Sequence, residues 1–444
     1  MEIRLPQQVE WIIEELDRAG YEAYAVGGCV RDSILGRIPD DWDITTSALP
    51  QQVKAIFSRT IDTGIEHGTV TVMVDHVGYE VTTYRIDGEY KDSRHPESVS
   101  FTSDLVEDLR RRDFTINAMA YNNTNGLIDV FGGQEDLAAR LIRAVGDAEE
   151  RFTEDALRML RAVRFSAQLG FEIEENTRIA IRKLAPSLVH ISAERIQTEL
   201  VKLLISDHPE KLEDAYTLGL TRVFFPEFDI MMTSDQKNPH HIYTVGGHTL
   251  KVMENVPKDR VLRITAMLHD VAKPKCTTLD EDGINHFRGH PEEGAVMARV
   301  ILRRLKFDRA TIDRVCHFIY WHDANPDTTA RAVRRFVSKV GLDYFPDLFA
   351  LKRADVRGQN PEFVEPKLRR IDTLEQLYNE IISQHQCVRV HDLAITGKDL
   401  IALGIEQGRA IGDCLDGLLD IVLEDPALNT RQQLLTIVRE QYID

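Results

Sequence analysis

The stretch Ala25-Val26-Gly27-Gly28-Cys29-Val30-Arg31-Asp32, followed by Asp41-Trp42-Asp43-Ile44, limits this chain more than any other part of it. The first part reads as an apolar strand running into a Gly-Gly turn, with a helix starting at Arg31-Asp32-Ser33. Glycines lack Cβ, so their backbone N–H groups can approach a phosphate closely, and a helix N-terminus adds the positive end of its dipole. In the second part Trp42 and Ile44 alternate with Asp41 and Asp43, which predicts a strand carrying both carboxylates on one face. Two adjacent carboxylates repel unless a cation lies between them, and Mg²⁺ takes one or two carboxylates plus substrate phosphate oxygens. A phosphate cradle beside such a pair implies nucleotidyl transfer, in which the metal aligns a 3′-hydroxyl with an α-phosphate and neutralises the departing pyrophosphate.

The chain has 444 residues, too many for a single core, so three or four domains are expected. Its apolar runs fall short of the ~20 residues of a membrane span. The start, Met1-Glu2-Ile3-Arg4-Leu5-Pro6, has no apolar core of a secretory signal. Cys29, Cys276, Cys316, Cys387 and Cys414 form no CxxC pair, which predicts reduced thiols in the cytoplasm and no structural zinc. A net charge of −18 argues against indiscriminate nucleic-acid binding; an RNA-handling chain with this balance must concentrate its Lys and Arg locally.

In their order, GG-x-V-R-D and D-x-D resemble the signature of the bacterial-type tRNA nucleotidyltransferases that add the 3′ CCA end, relatives of the bacterial poly(A) polymerases. Further stretches match in sequence order. Arg110-Arg111-Arg112-Asp113-Phe114-Thr115-Ile116-Asn117-Ala118 is similar to the family motif in which Arg112 would contact the nucleotide and Asp113 its ribose. Tyr79-Glu80-Val81 reads as a strand whose Glu80 either joins Asp41 and Asp43 as a third carboxylate or faces solvent. The polar stretch Asp87–Pro96 reads as a loop beside the sheet. In the resembled family such a loop is needed for the final A, which argues against a CC-only enzyme.

Phe152–Phe165 is helical by composition, with Thr153 as N-cap. Asp155 and Arg158, three apart, are placed side by side on that helix. A carboxylate beside a guanidinium discriminates bases chemically. Cytosine and adenine offer an amino donor next to a ring-nitrogen acceptor, so Asp155 can accept from the amine while Arg158 donates to the ring. Uracil and guanine turn a carbonyl toward Asp155, acceptor against acceptor. In the resembled family this ED-x-x-R helix is the protein template for CTP and ATP; Arg161 and Arg164 would hold the triphosphate or the template geometry. Ile191–Leu200 resembles a helix that braces it.

Histidines crowd the chain from Pro239 onward. His248, the doublet His269-Asp270 and Asp355 resemble the HD phosphohydrolase pattern, with Asp355 preferred over Asp323 as the last ligand. His290 and His322 would offer ligands to a second metal. Imidazole and carboxylate ligands suit Mn²⁺, Fe, Ni²⁺, Co²⁺ or Mg²⁺. The tail carries no catalytic constellation; the resemblance implies that it holds tRNA, with Lys398 and Arg409 on phosphates.

The expected architecture is therefore α+β and multidomain. A small mixed α/β nucleotidyltransferase head (1–140) precedes a helical neck and body with the template (141–236), an HD domain (237–362) and a helical tail (363–444). The expected activity is CCA addition to tRNA from CTP and ATP, with Gly27, Gly28 and Arg31 at the triphosphate and Mg²⁺ on Asp41 and Asp43. Rival readings are A-only addition, a poly(A) polymerase, an HD phosphohydrolase and a silent RNA-binding chaperone. The oligomeric state stays open, and no membrane partner is expected.

Overall fold

The computed structural model describes residues 2–87 and 99–442. It divides into two compact units, Met1–Asp229 with Arg304–Lys306, and Ile230–Arg303 with Phe307–Asp444. The expected boundaries at 140 and 362 fall inside these units. The stretch Asp87–Pro96 lies, beyond its first residue, outside the described residues.

The first unit is built on one mixed sheet. Its strands are β1 (Ala23–Val26), β2 (Asp43–Thr46), β3 (Thr60–Gly64), β4 (Thr69–Val74), β5 (Val77–Thr83), β8 (Met119–Asn122) and β9 (Gly126–Asp129); β6 (Arg85–Asp87) and β7 (Val99–Phe101) form a separate ribbon. The order in the sheet is β3-β4-β5-β2-β1-β8-β9, with β2 parallel to β5 and antiparallel to β1. Strand β1 is buried at all four positions, which is why Ala-Tyr-Ala-Val shows no polar alternation. Tyr24 and Val26 pack with Tyr84, Leu105, Leu109, Ala118, Ala120 and Val145. The helix Gln7–Arg18 also packs on β1, with Val9, Ile12, Ile13 and Leu16 as its buried stripe.

The structure departs from expectation at three places. The helix after the glycines spans Gly28–Ile34, starting before Arg31, because Gly27 itself turns the chain with φ +83°. Strand β2 starts at Asp43, so Asp41 precedes it; its partner β1 ends at the pair Val26–Asp43, and beyond that Gly27 leaves the sheet. The helix expected over 152–165 is two helices, Ala148–Glu154 and Leu157–Leu169. Asp155 breaks it: with φ −138° its carboxylate accepts from Leu157 N at 3.0 Å, an alternative to helical pairing that short acidic side chains offer. Asp147 caps the first helix, and Thr153 lies inside it with its hydroxyl donating to the Glu149 carbonyl at 2.7 Å. The helix Leu157–Leu169 packs on Ala193–Leu204, whose buried stripe is Ile196, Leu200, Leu203 and Leu204.

The second unit is helical apart from a short ribbon, Thr278–Leu279 with Asn285–His286. Helices Val245–Asn255, Arg260–Leu268 and Phe345–Arg357 pack together, as do Arg260–Leu268 and Arg309–Trp321. The C-terminal helices Arg409–Glu424 and Arg431–Gln441 bury Leu418, Val422, Leu434 and Val438 with Leu400. No helix among the described residues is long and apolar enough to cross a membrane.

Candidate functional site

The glycine turn and the carboxylates meet through sheet register. Val26, which leads into Gly27, pairs with Asp43, and Ile44 pairs with Val81, so Glu80 stands one strand over from Asp43. Asp43 and Glu80 both have raised pKa values. Desolvation is the main cause at each; Asp41 adds to the effect at Asp43, and Asp43 and Asp41 add to it at Glu80, while Arg112 opposes it at Asp43. Asp43 and Glu80, whose charge is disfavoured by burial and by neighbouring carboxylates, could hold a divalent cation together with Asp41. Among the described residues, their oxygens do not all lie within 4.8 Å of one another. Cys29, inside the glycine motif, is a buried thiol pushed up to about 11 by desolvation.

Arg112 joins the turn to the acids. A Cβ on Gly27 would lie 3.1 Å from Arg112 Nη1, so an added side chain would push the guanidinium back by a few tenths of an ångström. The Arg112 Nη2 is 3.5 Å from Asp108, and its Nε is buried without a hydrogen-bond partner. Asp108 is fully buried, accepts from Thr45 on β2 at 3.0 Å, and is held in its ionised form by Arg111 and Arg112 against the cost of burial.

A second network ties the turn to the helix Leu157–Leu169. Arg31 donates to both Asp32 oxygens and, through Nη1, to Asn117 Oδ1 at 2.7 Å. Asn117 donates to Asp113, whose second oxygen accepts from Arg161 Nε and Nη2 at 2.8 and 2.5 Å. Asp113 also accepts from Phe114 N, so its four acceptor sites are all engaged, and Arg161 with Asn117 keeps its carboxyl far below the usual range despite burial. Within the protein the carboxylate thus positions Arg161. Arg31, Arg161 and Arg164 all stand over the Phe165 ring, at 5.1, 5.5 and 3.8 Å from its centroid. Arg164 Nε lies 2.6 Å from Glu199; burial first, and then Arg161 and Arg31, push its pKa down to about 10. Each of the three guanidiniums is also paired with a carboxylate, Arg31 with Asp32, Arg161 with Asp113 and Arg164 with Glu199.

The side chains of Asp155 and Arg158 do not pair with each other; the two residues are linked through the Arg158 N–H, which donates to the Asp155 carbonyl at 3.0 Å. Asp155 Oδ2 accepts from Arg195 Nη2 at 2.7 Å and Oδ1 from Leu157 N, so two of about four acceptor sites are used. Arg158 donates to Glu154, to the Arg151 carbonyl and to the Arg111 carbonyl at 2.8 Å, three of its five N–H groups. Each is thus fixed from another element while keeping capacity for one further partner. Asp108, Asn117, Phe165 and Glu199, which do this positioning, were not singled out from the sequence; their only signal there is a polar residue, or an aromatic beside arginines, at a buried helical or strand position.

In the second unit the six expected ligands come together. His248, His269 and Asp270 form one buried group and Asp270, His290 and His322 another, each with ligand atoms within 4.8 Å of one another. Asp355 lies 2.9 Å from His248 Nε2. Every imidazole has its Nδ1 on a backbone carbonyl: His248 on Gly358 at 3.1 Å, His269 on Ala266 and His290 on Phe287 at 2.8 Å each, His322 on Ile319 at 2.6 Å. A carbonyl only accepts, so Nδ1 carries the proton and Nε2 presents a lone pair, the arrangement that orients metal-ligating histidines. Facing Nε2 atoms stand 3.3 Å apart in both the His248–His269 and the His290–His322 pairs, an opposition that a cation relieves. Asp270 turns Oδ2 to the first group and Oδ1 to the second, and Lys273 lies 2.8 Å from Oδ2. The His241 ring, 5.1 Å from His248, is pushed down to about 3 by burial and then by Lys273. In the tail, Lys398 and Arg409 are exposed, Arg409 with Asp413 at 3.7 Å.

Comparison with known proteins follows this layout. The family model described as "Poly A polymerase head domain" matches residues 23–143, "Probable RNA and SrmB-binding site of polymerase A" matches 170–232, and a tRNA nucleotidyltransferase domain 2 matches 293–438. A CCA-adding enzyme of Levilactobacillus brevis is 50% identical over 443 residues, covering 98% of this chain and 99% of its own. One of Leuconostoc mesenteroides is 53% identical over 205 residues, 46% of this chain, and there the chain spans about half (51%) of the relative's length. The crystal structure of the Bacillus stearothermophilus CCA-adding enzyme in complex with CTP is 31% identical, with a TM-score of 0.73 and 99% of each chain covered.

Proposed function

This chain belongs to the family of bacterial CCA-adding enzymes, and from that premise we propose that it adds C, C and A to the 3′ end of tRNA, using CTP and ATP. The single observation that carries the reading is the register that sets Asp43 beside the glycine turn, with Arg112 between the two. Asp41, Asp43 and Glu80 would hold a divalent cation, Mg²⁺ by their all-oxygen donor set. When bound, Mg²⁺ activates the attacking hydroxyl and neutralises charge on the triphosphate.

The chain's own residues supply the rest. Gly27 and Gly28 leave room for the phosphates, and Arg112, with its unpartnered Nε, and Arg31 bring positive charge to them. Arg161 and Arg164, around Phe165, extend that field toward the template, with Asp113 and Glu199 holding them in place. Asp155 uses its free acceptor capacity for the amino group of cytosine or adenine, and Arg158 one of its free N–H groups for the ring nitrogen. Arg195 fixes the Asp155 carboxylate. The 3′-hydroxyl, giving up its proton to solvent, then attacks the α-phosphorus; the new P–O bond forms as the bond from the α-phosphorus to the bridging oxygen breaks and pyrophosphate leaves.

The test offers three tRNAs, ending before the CCA, at C and at CC, with CTP and ATP separately and together. Ordered growth of all three to CCA, with pyrophosphate release, is expected. Extension of the CC end alone would identify an A-adding enzyme, long A tracts a poly(A) polymerase, and binding without release a silent RNA-binding protein.

The second cluster favours a further reading. We take it as a two-metal phosphohydrolase centre of HD type, with His248, His269, Asp270 and Asp355 on one ion and Asp270, His290 and His322 on the other. Imidazole-rich donors suit Mn²⁺, Fe, Ni²⁺ or Co²⁺. Metal analysis of the purified chain tests it: two ions are expected, and fewer in His269→Ala.

A further inference from the structure

We propose that a cavity walled by Val356, Ile371 and Leu374 is the subsite for a planar organic group of the phosphoester handled at the histidine–aspartate cluster. The inference rests on the phosphohydrolase reading of that cluster. Two cavities, of about 280 and 320 Å³, share His322, Asp323, Asp355 and Gln359, so the metal-ligating side chains form their common wall. Their chemistry differs. The first gathers Lys273, Arg288, His241 and His286 with the ligands, a surround suited to the phosphoryl group. The second carries Val356, Ile371 and Leu374, all buried, with Lys367 and Arg370 at its side. A volume near 300 Å³ with one apolar wall, Val356, Ile371 and Leu374, set among polar and charged groups is within the size of a small-molecule pocket, and far more room than a water or a phosphate requires.

The wall between the cavities is ordered. Lys367 Nζ donates to Gln359 Oε1, Gln359 Nε2 donates to Asp355 Oδ1 at 3.3 Å, and Asp355 lies 2.9 Å from His248 Nε2. Lys352, also lining the second cavity, is locked, with its ammonium on the His322 and Ala324 carbonyls at 2.6 Å each, and so shapes the wall around His322. Lys367 and Arg370 therefore supply the cations that meet an oxygen-bearing rim of the organic group, while Ile371 and Leu374 cover its face. A phosphoester seated at the ligands projects its phosphoryl oxygens into the first cavity and its alcohol side into the second. Hydrolysis breaks the P–O bond on that side: the water oxygen bonds phosphorus, and the alcohol leaves with a proton.

The test is calorimetric binding of phenylphosphonate and methylphosphonate, which cannot be hydrolysed at phosphorus–carbon, to the full chain loaded with Mn²⁺. Phenylphosphonate is expected to bind at least tenfold tighter. Leu374→Trp, which fills the second cavity, should erase that preference and leave methylphosphonate unchanged; Ile371→Trp serves as a second such variant, with the thermal midpoint of each recorded. Parallel hydrolysis of phenyl phosphate and glycerol 2-phosphate should show the same tenfold preference, lost in the same variants. Equal binding of the two phosphonates to the unaltered chain, or a preference that survives both variants, overturns the subsite. Binding that is the same with and without Mn²⁺ and in His269→Ala overturns the phosphohydrolase reading itself.

Discussion

Asp113 has all four acceptor sites engaged inside the protein, whereas Asp155 has about two of its four in use, and this difference assigns them different work. Asp113→Ala would free Arg161 and leave Asn117 without its acceptor, at a cost of about 2–3 kcal/mol in urea unfolding. An unchanged midpoint would contradict the positioning role. Arg195→Ala leaves Asp155 unanchored; discrimination of CTP over UTP should fall by a factor corresponding to about 1–3 kcal/mol, with partial rescue by Arg195→Lys. Asp43 is expected to behave in the opposite sense. Its folded-state pKa is raised, so its charge opposes folding at neutral pH. Asp43→Asn should raise the thermal midpoint in chelator while abolishing nucleotide transfer. The residue types of the pocket were legible in the sequence, since glycines, acids and arginines carry chemistry wherever they sit. Their partners were not, because pairings such as Arg31–Asn117, Arg161–Asp113 and Arg195–Asp155 depend on contacts between distant segments.

At the scale of elements, Gly27 is where β1 gives way to the helix Gly28–Ile34. With φ +83° and Arg112 Nη1 at 3.1 Å from any added Cβ, Gly27→Ala should cost about 1–3 kcal/mol and weaken nucleotide binding, measurable by urea unfolding and ATP titration. Asp108 and Asp113 lie on the segment that follows the ribbon, and both have folded-state pKa values below the usual 3.8. Their contribution is present in full above about pH 4 and is lost as pH falls through the lower folded values. The urea midpoint should fall between pH 5 and pH 2.5, less steeply in Asp113→Asn; a flat profile would contradict the network. Strand β1 could be read directly from its unbroken apolar run. The break at Asp155 could not, because Ala156, Met159, Leu160 and Val163 keep helical spacing across it, and only the capping carboxylate reveals the new start. The start of β2 at Asp43 was equally hidden, since it is set by where β1 ends and not by the alternation of β2 itself.

At the scale of the molecule, each unit gathers one set of charged side chains around one chemistry. The six ligands of the second unit are scattered from His248 to Asp355, and no local period links them; their convergence follows from helix packing, and the sequence offered it only through family resemblance. The carboxylates and template of the first unit are joined by a sheet register and a broken helix. On the function proposed above, they form a pocket that selects amino-bearing bases through protein side chains alone. The measurement that tests this most directly is the ratio of CTP to UTP incorporation into a tRNA ending before the CCA, for the unaltered chain and for Asp155→Ala. Strong preference for CTP is expected in the first and its collapse in the second, with tRNA binding retained. Undiminished preference in Asp155→Ala would contradict selection by the Asp155 carboxylate.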